Sequence, residues 1–409
     1  MFYTLMHKDI PAVDFEWDTE SCFIRQIGKV YSAAHLPVGI SAVNNESIRF
    51  GLNDWWLSRA IPANRFGIRK ALETLSVPNT KLLLTRCMGL SLSDQYWIRP
   101  QDSTVTWHEV NFFENSFSDD IGDVLLGKAT KADGFDFHSP DNTSDGCLKK
   151  RWKIIDGRRC LIKAGSGPYM QQPFNEVIAT KIMERLGIPH VPYTLLWDDD
   201  TPYSVCEDFI TPDTELVPAW RVMQTAKKDN NTTVYRHYLN CCESFGLTDM
   251  VHAVDQMIVL DYIIANEDRH QNNFGLLRDA NTLEWLGASP IFDSGSSLGY
   301  DKLPSRIISG RDIECKPFKK SHEEQIKLVT SFDWIDFDAL KTVSEDIRAV
   351  LTETGEYVDE YRCEAIVKSV EKRIALLEEM ALSSRMQEDN TEHDVTEDIA
   401  EDYGFGVIQ

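Results

Sequence analysis

A dense run of polar residues, Asp268-Arg-His-Gln-Asn-Asn273, follows an apolar segment in the second half of the chain. Twenty-five residues beyond Asp268, the apolar pair Ile291-Phe292 precedes Asp293, Ser and Gly. Phosphoryl transfer requires residues of these types. One carboxylate must orient a hydroxyl and accept its proton, while an amide and a second carboxylate hold Mg²⁺ against the phosphates. We therefore predict that Asp268 is the catalytic base and that Asn273 and Asp293 are the metal ligands.

Each of these residues has a common structural explanation when it is taken alone. An aspartate after a helix is more often a cap, and Asp-Ser-Gly is more often a turn. The run Asp-Arg-His-x-x-Asn specifies four positions, and it occurs together with a later aspartate and with suitable upstream residues. This joint occurrence favours the chemical interpretation.

The upstream residues include a cation for the phosphates. Lys163 lies near the end of a predicted strand, and Glu176 follows thirteen residues later in the first turn of the next predicted helix. A lysine on a strand that faces a glutamate on a helix forms the ion pair that orients a phosphate-binding ammonium group. The alternatives are an edge-strand lysine that extends into water and a glutamate that interacts with the helix N-terminus.

Two further segments flank this pair. The loop 143–150, which contains Ser144, precedes the first strand of the region and is placed to cover phosphates. It lacks the Gly-x-x-x-x-Gly-Lys-Ser/Thr pattern, which argues against a P-loop NTPase. Glu207-Asp-Phe209 ends the last strand before a helical region, where a linker between two lobes would present backbone groups to adenine. The alternative is that these are ordinary residues at the end of a strand.

The order of the predicted elements indicates an α+β fold. Asp156-Gly157 between two strand-like runs is a strong hairpin signal. The predicted elements are strands at 151–155, 159–164, 191–197 and 203–209, a helix at 173–186, a short hairpin at 274–277 and 284–287, and helices from 248 onward that end in an amphipathic one around 366–377. Strands with one helix, followed mainly by helices, are typical of a two-lobed catalytic domain with a small β-rich N-lobe and a mainly helical C-lobe.

The composition divides the chain further and excludes some classes of partner. We predict an N-terminal accessory subdomain (1–135), a nucleotide-binding N-lobe (136–210), a helical catalytic C-lobe (211–386) and an acidic, disordered tail (387–409). The net charge of −23 argues against direct nucleic-acid binding and against coating of anionic membranes. However, residues 146–164 carry a net charge of +6 and residues 294–320 one of +3, as expected beside an anionic ligand.

Targeting and cysteine patterns predict a cytoplasmic protein. No apolar run reaches the ~18–20 residues needed to span a bilayer. The first ten residues do not resemble a secretory signal. The nine cysteines contain no Cys-x-x-Cys pair, so neither a zinc site nor a disulfide framework is supported, and we expect reduced, mostly buried thiols.

Over roughly residues 140–380, the chain resembles the HipA-like serine/threonine kinases, a bacterial family known from toxin–antitoxin modules. The Asp-Arg-His-x-x-Asn run, which the distantly related phosphoinositide kinases share, is joined by Asn175-Glu176 and by Leu186-Gly-Ile-Pro189. The resemblance implies a protein-kinase-like fold. It also implies the following roles: Asp268 as the base, Asn273 and Asp293 as Mg²⁺ ligands, Lys163 on the nucleotide phosphates with Glu176 beside it, Glu207 and Phe209 at the adenine hinge, and His270 by the nucleotide.

The resemblance further implies autophosphorylation of the nucleotide loop, for which Ser144 is the counterpart, and an antitoxin or regulatory partner. The loop reads Ser144-Asp-Gly-Cys-Leu-Lys-Lys150 rather than the Gly-Ala-Gln-containing loop usual in the family. The N-terminal residues match the family's usual subdomain poorly. There, the patch from Leu52 to Arg65 is interpreted as a packing motif of a helix-and-turn unit.

The function predicted from these residues is an ATP- and Mg²⁺-dependent kinase that phosphorylates a Ser or Thr hydroxyl of a protein. One alternative is a small-molecule or lipid kinase that uses the same residues. The other is a pseudokinase or binding scaffold, against which the full set of five site residues argues. No direct nucleic-acid or membrane partner is expected, because the net charge is strongly negative.

Overall fold

The computed structural model describes residues 1–128, 134–311 and 313–402, with side chains through 386. The described chain is mixed α and β, with three antiparallel sheets among these residues. This confirms the coarse fold class. No helix in this part of the chain is long and apolar enough to cross a membrane.

The N-terminal unit (residues 1–128) is built on a four-stranded sheet of order β3-β2-β1-β4. Its strands are β1 (Phe2–His7), β2 (Ile10–Asp18), β3 (Phe23–Val30) and β4 (Tyr96–Pro100), and its helices are α1 (Asn45–Ser58), α2 (Ile68–Thr74), α3 (Thr80–Arg86), α4 (Trp107–Val110) and α5 (Asp120–Leu126). Leu52, Trp55 and Trp56 on α1 are buried against this sheet. The patch is thus a packing motif, as expected, but the sheet that it covers was not predicted.

The second sheet has the order β5-β6-β8-β7 and carries most of the predicted strands. Its elements are β5 (Lys150–Ile155), β6 (Arg158–Ala164), α6 (Gln172–Leu186), β7 (Thr194–Asp198) and β8 (Thr201–Glu207). The hairpin at Asp156-Gly157 is confirmed, and both residues have positive φ angles of 49° and 79°, as a tight hairpin turn requires. In this register Lys150 lies opposite Lys163.

The third sheet, β11-β10-β9, and the remaining helices complete the chain. The elements are β9 (Thr214–Pro218), α7 (Ala219–Met223), α8 (Val234–Ser244), α9 (Met250–Ile264), β10 (Gly275–Asp279), β11 (Trp285–Ala288), α10 (Pro304–Ser309), α11 (His322–Gln325), α12 (Phe337–Leu340), α13 (Val343–Thr352) and α14 (Glu360–Asp402). The predicted second hairpin is confirmed, but β9, which pairs with β10, falls in a segment predicted to be helical.

The largest apolar core gathers α6, α9, α13 and α14. Helix α9 is buried on almost every side, and Ile366, Val370 and Leu377 of α14 point into the same core, as their spacing predicts. All nine cysteines are free, and seven of them are buried. Of the acidic tail predicted to be disordered (387–409), residues 387–402 continue α14, and residues 403–409 lie outside the described residues.

Candidate active site

Lys163 lies at the centre of a buried ion cluster. Its Nζ donates to Glu176 Oε1 at 3.1 Å, to Asp293 Oδ1 at 2.8 Å and to the Tyr193 hydroxyl at 3.1 Å. Glu176 is the fifth residue of α6, so it lies just past the first turn of that helix. Strand β6 and helix α6 thus bring the predicted pair together and add Asp293 from a segment more than a hundred residues away. Tyr193 was not predicted from the sequence.

The charges of this cluster stabilise one another. Burial alone would lower the pKa of Lys163, but Asp293 and Glu176 raise it well above its ordinary value. Burial would likewise raise the pKa of Asp293, but the ammonium groups of Lys163 and Lys150 hold it below its ordinary value. The backbone of Asp293 is left-handed, with φ at 57°, which is uncommon for a residue with a side chain. An ionised carboxylate is therefore presented from a sharp turn.

A buried arginine joins the segment 268–273 to the Asp293 turn. Helix α9 ends at Ile264, and the next residue, Ala265, turns the chain out of the helix with a φ of 51°. Arg269 pairs with Asp261 of that helix at 3.0 Å, and neither side chain is exposed. The same guanidinium donates to the backbone oxygens of Asn273 and Phe292. The arginine thus fixes both predicted metal ligands relative to α9. Neither Arg269 nor Asp261 was assigned a role from the sequence, although Asp261 interrupts an otherwise apolar run.

Asp268 is held through its backbone, while its carboxylate stays accessible. Its carbonyl oxygen accepts bonds from the side chain of Asn273 at 3.0 Å and from the amide of His270 at 2.7 Å. Its carboxylate accepts a bond from Lys316 at 2.7 Å, and both side chains are nearly half exposed. An exposed carboxylate beside the cleft is accessible to an incoming hydroxyl. Lys316 was not predicted, because it lies 48 residues further along the chain.

The predicted residues surround a cavity of about 260 Å³. The predicted residues that line it are Ser144, Lys163, Glu207, Phe209, His270, Asn273 and Asp293. Glu176 reaches the site through Lys163, and Asp268 through Asn273. The structure therefore brings all nine predicted residues into or beside one cleft.

The two predicted hinge residues, Glu207 at the end of β8 and Phe209 two residues beyond it, differ in orientation. The Glu207 carboxylate pairs with Arg158 at 3.4 Å, and both side chains are exposed. The ring of Phe209 packs against that of Phe292, with centroids 5.3 Å apart. These two rings thus form an apolar surface next to the ion cluster.

A second lysine in the cleft was missed by sequence reasoning. Lys150 on β5 is buried and lines the same cavity as Lys163. Burial lowers its pKa to about 8, against the opposing effect of Asp293. Its ammonium group has no hydrogen-bond or ion-pair partner within the described residues. The alternation of β5 could have identified it, because Lys150 faces Lys163 across the hairpin.

The oxygen donors in the cleft fit a magnesium ion that is shared with phosphates. Asp293 and Asn273 both line the cavity, and Mg²⁺ is commonly held by one or two protein oxygens together with phosphate oxygens and water. Among the described residues, no group of three or more His, Cys, Asp or Glu side chains forms a cage for a metal. The donor set therefore suits an ion that arrives with a phosphate ligand.

Comparison with known proteins assigns the chain to a family. A sequence model described as the HipA-like C-terminal domain matches residues 142–375, which is more than half of the chain. The serine/threonine-protein kinase CtkA of Helicobacter pylori strain J99 is 32% identical over 169 residues, which cover 35% of this chain and 47% of that protein. The chain thus matches less than half the length of this curated relative.

Two solved structures are similar. The H. pylori proinflammatory kinase CtkA aligns with 58% of this chain and 95% of its own, at 19% identity and a TM-score of 0.43. HipA of Shewanella oneidensis MR-1, solved in a complex with HipB and operator DNA, aligns with 92% of this chain and 97% of its own, at 11% identity and a TM-score of 0.50. The second likeness extends the shared fold over most of the chain, and the matched residues 142–375 contain every predicted site residue. The chain belongs to the HipA-like C-terminal domain family.

Proposed function

We propose that this protein is an ATP- and Mg²⁺-dependent kinase with a two-lobed layout that phosphorylates a Ser or Thr hydroxyl of a protein. The observation that carries the proposal is the buried lysine that joins Glu176 to Asp293 at a cleft which also holds Asn273. Phosphoryl transfer needs this set of charges, whereas a binding scaffold has no need to keep it. The name of the relative CtkA, a serine/threonine-protein kinase, supports the same class of reaction.

In the proposed reaction, Lys163 and Lys150 bind the nucleotide phosphates, and Glu176 orients Lys163. The oxygens of Asp293 and Asn273 would hold Mg²⁺, which supplies positive charge to the phosphates. Asp268 orients the hydroxyl of the substrate. The oxygen of this substrate hydroxyl forms a bond to the γ-phosphorus as the bond from phosphorus to the bridging β–γ oxygen breaks. ADP leaves, and the hydroxyl proton passes to Asp268.

The partners of the proposed kinase are a protein substrate and an antitoxin or regulatory protein. The HipB subunit in the complex of S. oneidensis HipA supports a protein partner of the second kind. The net charge of −23 supports contact with nucleic acid only through such a partner. Autophosphorylation at Ser144 would require the nucleotide loop to open, because this side chain is buried. We place the protein in the cytoplasm.

The proposal is tested with the full chain, γ-labelled ATP and a fractionated lysate, with either Mg²⁺ or a chelator present. We expect label on protein in the magnesium sample only, at serine or threonine after acid hydrolysis. Label on a lipid or on a small product would instead support the alternative kinase. Absence of any transfer and of any change in intact mass would favour the pseudokinase and contradict the proposal.

The second lysine of the cleft predicts a pH dependence of ATP affinity. Because the pKa of Lys150 is lowered to about 8, its ammonium group is mostly charged at pH 7 and mostly neutral at pH 9. We expect ATP affinity to fall by about tenfold as the pH rises through this window, since one charge-assisted contact contributes roughly 1.5 kcal/mol. Titration calorimetry across the window measures the change.

The matched variants for this measurement lie on one strand. Lys150→Met should bind ATP weakly at every pH, and its ATP affinity should depend much less on pH than that of the wild type. Lys153→Met, three residues further along β5, alters a side chain outside the cleft and should keep the slope. An equal slope in Lys150→Met and the wild type would show that another group titrates.

A further inference from the structure

A buried arginine of the N-terminal unit holds the loop that precedes β5. Arg65, between α1 and α2, is only 2% exposed. Its Nε donates to the Gly146 oxygen at 2.9 Å, and its Nη1 donates to Ser144 Oγ at 2.8 Å. Its Nη2 donates to the backbone oxygens of Ser144 and Asp145. One guanidinium therefore binds three successive residues of the loop.

These bonds determine which way the loop faces. In a trans peptide the carbonyl and the following N–H point in opposite directions. Arg65 donates hydrogen bonds to three successive carbonyl oxygens of the loop, those of residues 144, 145 and 146. The backbone amides that follow these carbonyls therefore point away from Arg65. Those of Asp145 and Cys147 have no hydrogen-bond partner among the residues that the structure describes. The amide of Gly146 between them donates to Asp145 Oδ1 at 2.6 Å, so two alternate amides of this loop are left to donate to an anion.

The loop also closes over the cations of the cleft. A Cβ placed on Gly146, whose φ is +89°, would lie 2.6 Å from Lys150 Nζ, so the loop backbone lies directly on this ammonium group. On the other side, Asn272 of the catalytic segment donates to Asp145 Oδ2 at 3.1 Å. The loop thus bridges the N-terminal unit and the catalytic segment, and its residues line the cavity.

The chemistry of Arg65 suits a residue that holds the loop in place rather than one that only packs in the core. Burial lowers its pKa to about 10, so the side chain keeps its charge at neutral pH. All the hydrogen bonds of its guanidinium within the described residues go to the loop. The backbone of the next residue, Phe66, adds a bond to the Cys147 oxygen at 3.1 Å. A planar guanidinium can span several acceptors, which an ammonium group cannot.

We propose that Arg65 is a positioning residue through which the N-terminal unit holds the loop 144–147 closed over Lys150, with its free amides directed at the nucleotide phosphates. The inference rests on the proposed function, and it assigns to the N-terminal unit a direct part in nucleotide binding. Without Arg65, the closed loop must compete with open conformations, and the apparent affinity falls in proportion to the closed fraction.

The test compares Arg65→Ala with Arg69→Ala, an exposed arginine four residues further along. We expect Arg65→Ala to raise the KM for ATP by about tenfold if the loop is closed only a tenth of the time, with a much smaller change in kcat. In the protein without nucleotide, hydrogen exchange should become faster at the amides of Ser144 and Phe66, which bond to the Asp141 and Cys147 oxygens when the loop is closed. Arg69→Ala should behave as the wild type in both measurements.

Thermal unfolding separates a structural role from a positioning role. A variant that only loses stability would unfold at lower temperature, with the KM for ATP and the loop exchange unchanged, and that result would overturn the inference. If Arg65→Ala does not fold, Arg65→Lys keeps the positive charge but lacks the planar guanidinium that spans several acceptors. The same changes in the KM for ATP and in the loop exchange are expected. If the wild type transfers no phosphate, the proposed function fails, while the exchange experiment still decides whether Arg65 holds the loop.

Discussion

Asp268→Asn is expected to lower the rate of phosphoryl transfer by about three orders of magnitude, in the range typical of a lost general base. The amide has nearly the same shape but cannot accept the proton of the substrate hydroxyl. The side chain is 43% exposed, and the ion pair that it loses is the accessible one with Lys316. We therefore expect unchanged folding and nearly unchanged ATP affinity. Label transfer, titration calorimetry and thermal unfolding measure the three quantities.

Two further variants show whether the loss of transfer is specific to Asp268. Asp338→Asn changes an aspartate that is 83% exposed and distant in sequence, and it should transfer phosphate as the wild type does. Asp293→Asn removes a carboxylate that faces both Lys163 and Lys150, so it should weaken ATP binding as well as transfer. A fully active Asp268→Asn protein would remove this residue from the role of base.

The sequence predicted which residues come together better than it predicted the elements around them. Asp268, Asn273 and Asp293 were identified because one reaction needs their types together, and a short run with a fixed spacing is visible without a structure. The Lys163–Glu176 pair was identified because a strand and the following helix are local elements. The hairpin at Asp156-Gly157 was visible for the same reason, since its turn chemistry is contained in two residues.

What was missed depends on contacts between distant parts of the chain. Strand β9 pairs with β10 across about sixty residues, and its short sequence carries no alternation strong enough to stand out. Arg65 and Ser144 are 79 residues apart, and no pattern in either segment specifies the other. Lys316 likewise meets Asp268 only through tertiary folding. A single sequence holds little information on such pairings, because they depend on packing of whole elements.

The sheet of the N-terminal unit was missed for a related reason. Its strands contain many buried residues, including Phe15 and Trp17 on β2, but charged residues and a proline interrupt their pattern. Register shifts between β1 and β2 and between β2 and β3 break the alternation further. Three strands close together in sequence then receive a fourth, β4, from beyond three helices. The sheet is therefore completed by a pairing that local composition does not reveal.

The largest loss of stability is expected from breaking the Asp261–Arg269 pair. Neither side chain is exposed. Burial alone would lower the pKa of Arg269, but Asp261 raises it, so the arginine remains charged in the core. Asp261→Ala leaves this charge without its partner and removes the acceptor for the Asn266 side chain. The free energy of unfolding should fall by about 3–5 kcal/mol, as measured by denaturant titration. Asp338→Asn provides the exposed control.

A double variant separates the stability of this pair from its role in the site. Replacing both charges, Asp261→Leu with Arg269→Met, leaves no unpaired ion and should recover much of the stability that Asp261→Ala loses. Arg269 also holds the backbone oxygens of Asn273 and Phe292, and methionine cannot donate those bonds. Phosphoryl transfer should therefore stay low in a protein that folds well. A stable double variant with wild-type transfer would show that the ion pair only supports the core, and that the two predicted metal ligands are positioned without it.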